Sequence, residues 1–205
     1  MSKPVKVLAF SDLHRAAPAA RKLVEMSRDA DVVIAAGDFT NHRKDLAGAM
    51  ALLDGLRTPV VMVPGNNESE DELRATAPEG AIVLHGQGAE VAGLRFFGLG
   101  YAVPVTPFKD WSCDLTEAQG AEMLAECGDV DVLISHSPPK GVVDVTSQGL
   151  SLGSTSVLDT IERLQPPLVV CGHIHDCWGQ SAMVGASRVV NLGPVGMWFE
   201  IEPKG

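Results

Sequence analysis

The sequence predicts an α/β fold with both parallel and antiparallel strands. Apolar runs of strand length alternate with helix-length stretches over most of the 205 residues, a pattern typical of parallel strands joined by helices. Around residues 81–98 the apolar runs are separated by very short turns, which indicates an antiparallel portion. The chain is long enough to bury a sizeable core, and we expect residues 1–205 to form one domain.

Five apolar runs predict the strands of the parallel part. They cover residues 5–10, 31–36, 59–64, 131–135 and 167–170. Stretches with apolar residues at helical spacing, or with capping residues at their start, predict the helices. These cover residues 16–28, 44–56, 69–77, 114 or 116 to 127, and 154 or 156 to 164. The acidic run that begins at Glu68 predicts the negative first turn of the third helix.

Shorter runs predict antiparallel pairs. They cover residues 81–84, 89–91, 94–98, 181–184, 188–191 and 198–201. We expect hairpins among the first three, with Ala92-Gly93 as a tight connection, and a turn at Gly185-Ala186 near the C-terminus.

A long loop over residues 99–113 has the length and proline content of loops that border a site. Its aromatic residues Tyr101, Phe108 and Trp111 could stack on a nucleobase or an aryl group. We expect them mainly to cover the core.

Composition narrows the class of protein. The formal net charge is −10 with histidine neutral, so the chain would repel a long polyanion, and bulk nucleic acid is not an expected partner. The apolar runs are too short to span a membrane, and the start Met1-Ser2-Lys3-Pro4 lacks the apolar run of a signal peptide. We expect a soluble cytoplasmic protein whose four cysteines are free thiols. The sequence leaves the oligomeric state open, and a homo-oligomer is one of the alternatives.

Polar residues with metal-ligand chemistry follow each of the five strands of the parallel part. They are Asp12, His14, Asp38, Asn66, His136, His173 and His175. Ligands collect at the carboxyl ends of parallel strands, so these side chains can converge although they are far apart in sequence. Seven ligands are too many for one zinc ion but suit two ions that share a carboxylate. Such a set suits Mn, Fe, Zn or Co better than Cu(I) or Ca.

Each of these residues also has a structural explanation when it is taken alone. Asp12 could cap the following helix, and Asp38 and Asn66 could be turn residues. His136 could be a core histidine. A metal site explains the ordered set with a single hypothesis.

The ordered motifs resemble those of the calcineurin-like metallophosphoesterase family, and they are closest to its small metallophosphoesterase-domain proteins. They are Asp12-x-His14, Gly37-Asp38, Gly65-Asn66, His136 and Gly172-His173-x-His175. The resemblance implies a four-layer αββα sandwich of two mixed sheets flanked by helices. It also implies two divalent ions, with Mn²⁺ favoured and Fe, Zn, Ni or Co as alternatives.

The resemblance further assigns each ligand to an ion. One ion is implied to bind Asp12, His14, Asp38 and His175. The other is implied to bind Asp38, Asn66, His136 and His173. Asp38 would bridge the ions and position a shared hydroxide, which would attack a small phosphoester directly.

One position departs from the family pattern. The family usually has histidine directly after the asparagine ligand, where this chain has Asn67. An amide can contact phosphate but cannot act as an acid near neutral pH. Relatives that lack this histidine resemble phosphodiesterases, so we expect a phosphodiesterase. His42 could contact the substrate phosphate or replace the missing acid, although a solvated loop histidine is the simpler explanation.

Three alternatives stay open. A phosphomonoesterase acting on activated esters is the nearest, and a non-catalytic metal-binding scaffold comes from another class. A nuclease is disfavoured by the net charge of −10.

Overall fold

Two mixed β-sheets lie against each other in the computed structural model, which describes residues 3–56 and 59–203. The first sheet has the strand order β11-β1-β2-β3-β4. Its strands are β1 (Val5–Phe10), β2 (Val32–Ala35), β3 (Val60–Met62), β4 (Ile82–Val83) and β11 (Met197–Ile201). The remaining residues of the expected domain 1–205, including Met1 and Ser2, lie outside the described part.

The second sheet has the strand order β5-β6-β7-β8-β10-β9. Its strands are β5 (Gln87–Val91), β6 (Leu94–Leu99), β7 (Val132–Ser135), β8 (Leu168–Cys171), β9 (Ser181–Val184) and β10 (Ser187–Asn191). Strands β6, β7, β8 and β10 run parallel, while β5 and β9 pair antiparallel at the two edges. The predicted turn Ala92-Gly93 connects β5 to β6, and the predicted turn Gly185-Ala186 connects β9 to β10.

Helices cover the outer face of each sheet. They are α1 (Ala17–Met26), α2 (Leu46–Ala51), α3 (Glu70–Thr76), α4 (Glu117–Ala125) and α5 (Thr155–Leu164). The first three pack on the first sheet around Leu23, Met50 and Leu73, and the last two pack on the second sheet. A separate apolar cluster fills the space between the sheets. The expected α/β sandwich of two mixed sheets is confirmed.

Several element boundaries differ from the sequence-based expectation. Residues 81–84 were expected in a hairpin, but β4 pairs parallel with β3 at the edge of the first sheet, so this prediction is wrong. A run of two paired residues is too short for alternation to identify its partner. The second helix is also shorter than predicted, because turns replace it after Ala51.

Two further expectations concern the described residues only. Their four cysteines are free thiols, three of them buried, as predicted. None of the helices within residues 3–56 and 59–203 is long and apolar enough to cross a membrane.

Candidate metal centre

The carboxyl ends of β1, β2, β3, β7 and β8 converge at one edge of the molecule. Backbone hydrogen bonds tie the loops there: His14 N donates to Asp38 O at 3.0 Å, and Gly172 N donates to His136 O at 3.0 Å. The seven predicted ligand residues all lie on these loops or strand ends. They come together although they span more than 160 positions in the sequence.

Several of these residues have a left-handed backbone. The φ angles are 50° at Asp12, 45° at His14, 61° at Asp38 and 66° at His173. Non-glycine residues rarely adopt this conformation, which costs of order 1–3 kcal/mol at each position and clusters at functional sites. The chain maintains this strain where it turns sharply from strand to loop.

Two glycines of the motifs are required by close approach between the loops. A Cβ atom on Gly37, whose φ is 89°, would lie 2.6 Å from Gly65 Cα and 2.7 Å from His136 Nδ1. A Cβ atom on Gly65 would collide with the carboxylate and backbone nitrogen of Asp38. The glycine before each ligand therefore lets two strand ends approach closely enough for their ligands to meet.

The first ligand group consists of Asp12, His14 and His175, whose ligand atoms lie within 4.8 Å of one another. His14 Nδ1 lies 2.9 Å from the Thr40 carbonyl oxygen, so this nitrogen carries the hydrogen and Nε2 of the neutral ring has a lone pair. That Nε2 lies only 3.2 Å from His175 Nε2, which is itself 3.6 Å from Asp12 Oδ1. Lone pairs that face one another at such short distances repel each other, and a cation placed between them would remove this repulsion.

The second group consists of Asp38, His136 and His173, also within 4.8 Å. His136 Nδ1 lies 2.8 Å from the Ala36 carbonyl oxygen, which directs the Nε2 lone pair of the neutral ring into the site. This Nε2 lies 3.5 Å from Asp38 Oδ1 and 3.3 Å from Asn66 Oδ1. The donor set of imidazole, carboxylate and amide oxygen fits a divalent transition metal.

Asp38 lies between the two groups. Its Oδ1 faces His136, and its Oδ2 lies 3.6 Å from His14 Nε2 of the first group. Asp38 is 2% exposed. One buried carboxylate therefore reaches both candidate sites.

Asn66 is held with its oxygen directed at the second group. Its Nδ2 donates to Ser112 Oγ at 3.0 Å, and its backbone oxygen accepts from Cys113 N at 2.9 Å. Because the amide nitrogen is engaged on the loop side, Oδ1 is left to face His136.

The buried charges determine one another's ionisation. Burial opposes the charge on Asp38, but the nearby His136, His14 and His173 together keep the pKa of Asp38 well below its usual range. Burial lowers the pKa of His136, but the charges of Asp38 and Asp12 and the hydrogen bonds to Asp38 and the Ala36 carbonyl together raise that pKa to about 9. Burial and the charge on His136 lower the pKa of His173 to about 4. The carboxylate is thus ionised inside the protein and requires positive charge beside it.

Glu68 is buried, so its predicted role in the first turn of a helix is wrong. Helix α3 begins two residues later, and Glu68 is 0% exposed. Its carboxylate accepts hydrogen bonds from the backbone nitrogens of Asp38 at 2.7 Å, Gly65 at 2.6 Å and Phe39 at 3.1 Å. Burial and the neighbouring Asp38 raise the pKa of Glu68 to about 8. Glu68 stabilises the turn that presents Asp38.

Asn67 links the centre to the neighbouring loop. Its Nδ2 donates to Asp38 Oδ2 at 2.7 Å, and its backbone nitrogen donates to Asp38 Oδ1 at 2.9 Å. Its Oδ1 accepts from the backbone nitrogen of His42 at 2.7 Å. His42 is therefore positioned next to the centre by the residue that departs from the family pattern.

Trp178 is a site residue that the sequence analysis did not identify. Its Nε1 donates to Asp12 Oδ2 at 3.1 Å, and its ring lies 4.3 Å from the ring of His175. Its closeness in sequence to His175 is the only signal that could have suggested it.

A cavity of about 540 Å³ opens over the two ligand groups. His42, Asn67, Phe108 and Trp111 form its wall together with the exposed edges of the ligands. Phe108 is 45% exposed and Trp111 is half-buried, so the expectation that they mainly cover the core is wrong. Tyr101 does pack against the second sheet and its helices.

Comparison with known proteins gives matches that cover from 62% of the chain to nearly all of it. A family model described as the calcineurin-like phosphoesterase superfamily domain matches residues 5–204. UPF0046 protein K07C11.7 of Caenorhabditis elegans is 31% identical over 202 residues, covering 85% of this chain and 65% of that protein. Metallophosphoesterase domain-containing protein 1 of Homo sapiens is 34% identical over 135 residues, covering 62% of this chain and 38% of that protein.

The chain therefore spans less than two thirds of the length of these curated relatives. Among solved structures, that of a dimetal phosphatase from Danio rerio superposes with a TM-score of 0.65 at 16% identity. The match covers 95% of this chain and 89% of that chain, and it shows a common fold.

Proposed function

The chain belongs to the calcineurin-like phosphoesterase superfamily, and we propose that it is a metal-dependent phosphodiesterase acting on small phosphodiesters. The observation that carries the proposal is the pair of ligand groups joined by Asp38 beneath an open cavity. The Danio rerio protein of the same fold is described as a dimetal phosphatase, which supports two ions here.

We propose that Asp12, His14 and His175 hold one ion. We propose that Asp38, His136, His173 and Asn66 hold the other, with Asp38 shared by both. Two divalent ions would supply Lewis acidity toward phosphoryl oxygens and would lower the pKa of bound water toward neutrality. Manganese is our proposed metal, and the cytoplasm, where thiols stay reduced, our proposed location.

The preference for diesters rests on the side chains around the cavity. Among the described residues that line it, none is Lys or Arg, so no side-chain guanidinium or ammonium is available there for a second phosphate charge. Asn67 uses one amide hydrogen on Asp38 and keeps a second hydrogen that could reach a phosphoryl oxygen. This neutral donor suits the single charge of a diester.

We propose a substrate contact for His42. Its backbone is anchored by Asn67 at 2.7 Å, and the residue borders the same cavity as the metal ligands. Among the described residues that line the cavity, His42 is the one with acid–base chemistry that is not itself a proposed ligand. It could donate to a phosphoryl or leaving oxygen where the family uses another histidine.

The proposal is tested with two chromogenic substrates that share a leaving group. Methyl p-nitrophenyl phosphate is a diester, and p-nitrophenyl phosphate is the matching monoester. The Mn-loaded protein is expected to hydrolyse the diester with the higher kcat/KM, and Asp38→Asn should abolish both reactions. A higher kcat/KM for the monoester would favour the phosphomonoesterase alternative. Metal binding without turnover over a broad phosphoester panel would favour the scaffold.

A further inference from the structure

Two aromatic rings form a stacked pair on the wall of the cavity. The ring centroids of Phe108 and Trp111 are 5.0 Å apart, and their planes differ by 18°. Both residues belong to the loop between β6 and α4, and both border the cavity that contains the metal ligands. Phe108 is 45% exposed, so burial of its ring contributes little to the stability of the fold at this position.

The loop that carries this pair is fixed to the metal centre from one side through Ser112, which directly follows Trp111. Ser112 Oγ accepts from Asn66 Nδ2 at 3.0 Å and donates to Asp114 Oδ1 at 2.6 Å. Thr106, at the other end of the loop, donates to Asp114 Oδ2 at 2.8 Å through its hydroxyl. The aromatic pair therefore lies on a loop that is stabilised by its own hydrogen bonds to Asp114 and is hydrogen-bonded to Asn66 through Ser112.

A second connection reaches the pair through His42. The His42 ring lies 4.4 Å from that of Trp111, and the His42 backbone nitrogen donates to Asn67 Oδ1 at 2.7 Å. Asn67 in turn donates to Asp38 Oδ2 at 2.7 Å. Two independent paths thus hold the rings in place relative to Asp38 and Asn66. Such preorganisation favours ligand binding, because little side-chain freedom remains to be lost.

The chemistry of the wall limits what can bind there. Aromatic faces stack on planar rings, and every nucleobase or aryl group offers such a face. The described lining residues include no Lys or Arg, so the cavity offers no such side chain for a second phosphate. The best match is a ligand with one phosphate and one planar aromatic arm.

We propose that Phe108 and Trp111 form a stacking subsite for a planar aromatic group on one ester arm of a phosphodiester. The subsite rests on the proposed function, since it assigns the substrate class of the same centre. A nucleobase and a simple aryl ring share the chemistry that the subsite recognises.

The experiment measures binding to the Mn-loaded protein by calorimetry, without turnover. Methyl(phenyl)phosphinate and cyclohexyl(methyl)phosphinate are matched probes, since each carries the single charge of a diester, their rings have the same size, and their P–C bonds are not hydrolysed. We expect the phenyl compound to bind at least about five-fold more tightly, the lower range of base stacking on aromatic side chains. Trp111→Leu should remove this preference with little change in the binding of the cyclohexyl compound, and Trp111→Phe should retain most of the preference.

Trp198→Leu is the matched control, because Trp198 is exposed on β11 and does not border the cavity. Circular dichroism melting verifies that each variant is folded. Adenosine 5′-monophosphate compared with ribose 5-phosphate tests for a nucleobase. A preference in this second pair assigns a nucleoside arm, and a preference confined to the first pair assigns an aryl arm.

The outcomes separate this inference from the proposed function. A phenyl preference that survives Trp111→Leu, or equal or undetectable binding of both phosphinates, would overturn the subsite even if diesters are hydrolysed. A phenyl preference that depends on Trp111, together with no hydrolysis of any phosphoester, would retain the subsite and reject the phosphodiesterase.

Discussion

Trp178 donates a hydrogen bond from Nε1 to Asp12 Oδ2 at 3.1 Å. The same oxygen accepts from Ser11 Oγ at 2.5 Å, whereas Oδ1 accepts from His173 N at 3.0 Å and faces His175 Nε2 at 3.6 Å. The ring of Trp178 also lies 4.3 Å from the ring of His175. One indole thus orients two proposed ligands of a single ion.

Trp178→Phe should weaken one of the two metal sites, because it keeps the ring and removes the N–H. Loss of a hydrogen bond that orients a ligand typically costs about 10–100-fold in metal affinity. Titration of metal-depleted protein with Mn²⁺ by calorimetry measures both sites, and Trp198→Phe is the control. Two sites of unchanged affinity in Trp178→Phe would contradict this role.

Glu68→Gln should destabilise the fold. The amide oxygen of glutamine can replace one carboxylate oxygen as acceptor. At the position of the other oxygen, the amide N–H would face a backbone N–H. A buried donor left unsatisfied in this way costs about 1–3 kcal/mol. Urea denaturation of the metal-free protein at pH 9, above the Glu68 pKa of about 8 so that the carboxylate is ionised, measures the free energy of unfolding. Glu79→Gln, at an exposed position, is the control and should change it little. Equal unfolding free energies for both variants would show that Glu68 is not needed to hold the turn.

Asn67→His should raise the rate of hydrolysis of substrates with poor leaving groups. Imidazole can protonate a leaving oxygen near neutral pH, and the amide cannot. We expect the kcat for alkyl diesters to rise relative to that for p-nitrophenyl diesters. The variant also loses the Asn67 acceptor for the His42 backbone nitrogen, so Asn67→Ala serves as the control for that loss. An unchanged ratio of alkyl to aryl rates would reject this interpretation of Asn67.

His85 should contribute a pH dependence to stability outside the metal centre. Burial lowers the pKa of His85 below the ordinary value of 6.5, and its Nδ1 accepts from Gly100 N at 3.0 Å. The unfolded chain therefore binds more protons than the folded protein as the pH falls through 6.5, which destabilises the fold.

His85→Asn keeps an acceptor near Nδ1 and removes the titration. The stability advantage of the natural protein over this variant should shrink between pH 7.5 and 5.5, as measured by urea denaturation. An advantage that stays constant with pH would contradict the assignment.

The convergence of the seven proposed ligands could be predicted from sequence because each lies within four residues of the carboxyl end of a strand. Asp12, Asp38 and His136 are identifiable from local patterns, and the parallel topology brings their strand ends together. The structure adds the close approach at Gly37 and Gly65, which only the packed loops reveal.

What could not be predicted depends on contacts between distant segments. Glu68 lies next to acidic neighbours in the sequence, and only the packing of its carboxylate against the turn at Asp38 shows that it is buried. Strand β4 is too short for a pattern to identify its partner. The exposure of Phe108 and Trp111 follows from how their loop is tied to Asn66, which no spacing encodes.

The central claim is that hydrolysis depends on two ions held by the groups that Asp38 joins. The most direct measurement adds Mn²⁺ stepwise to metal-depleted protein and follows hydrolysis of methyl p-nitrophenyl phosphate. We expect no hydrolysis without metal and full recovery at two ions bound per chain. Full hydrolysis by the metal-depleted protein, or full recovery at a single ion, would contradict the account.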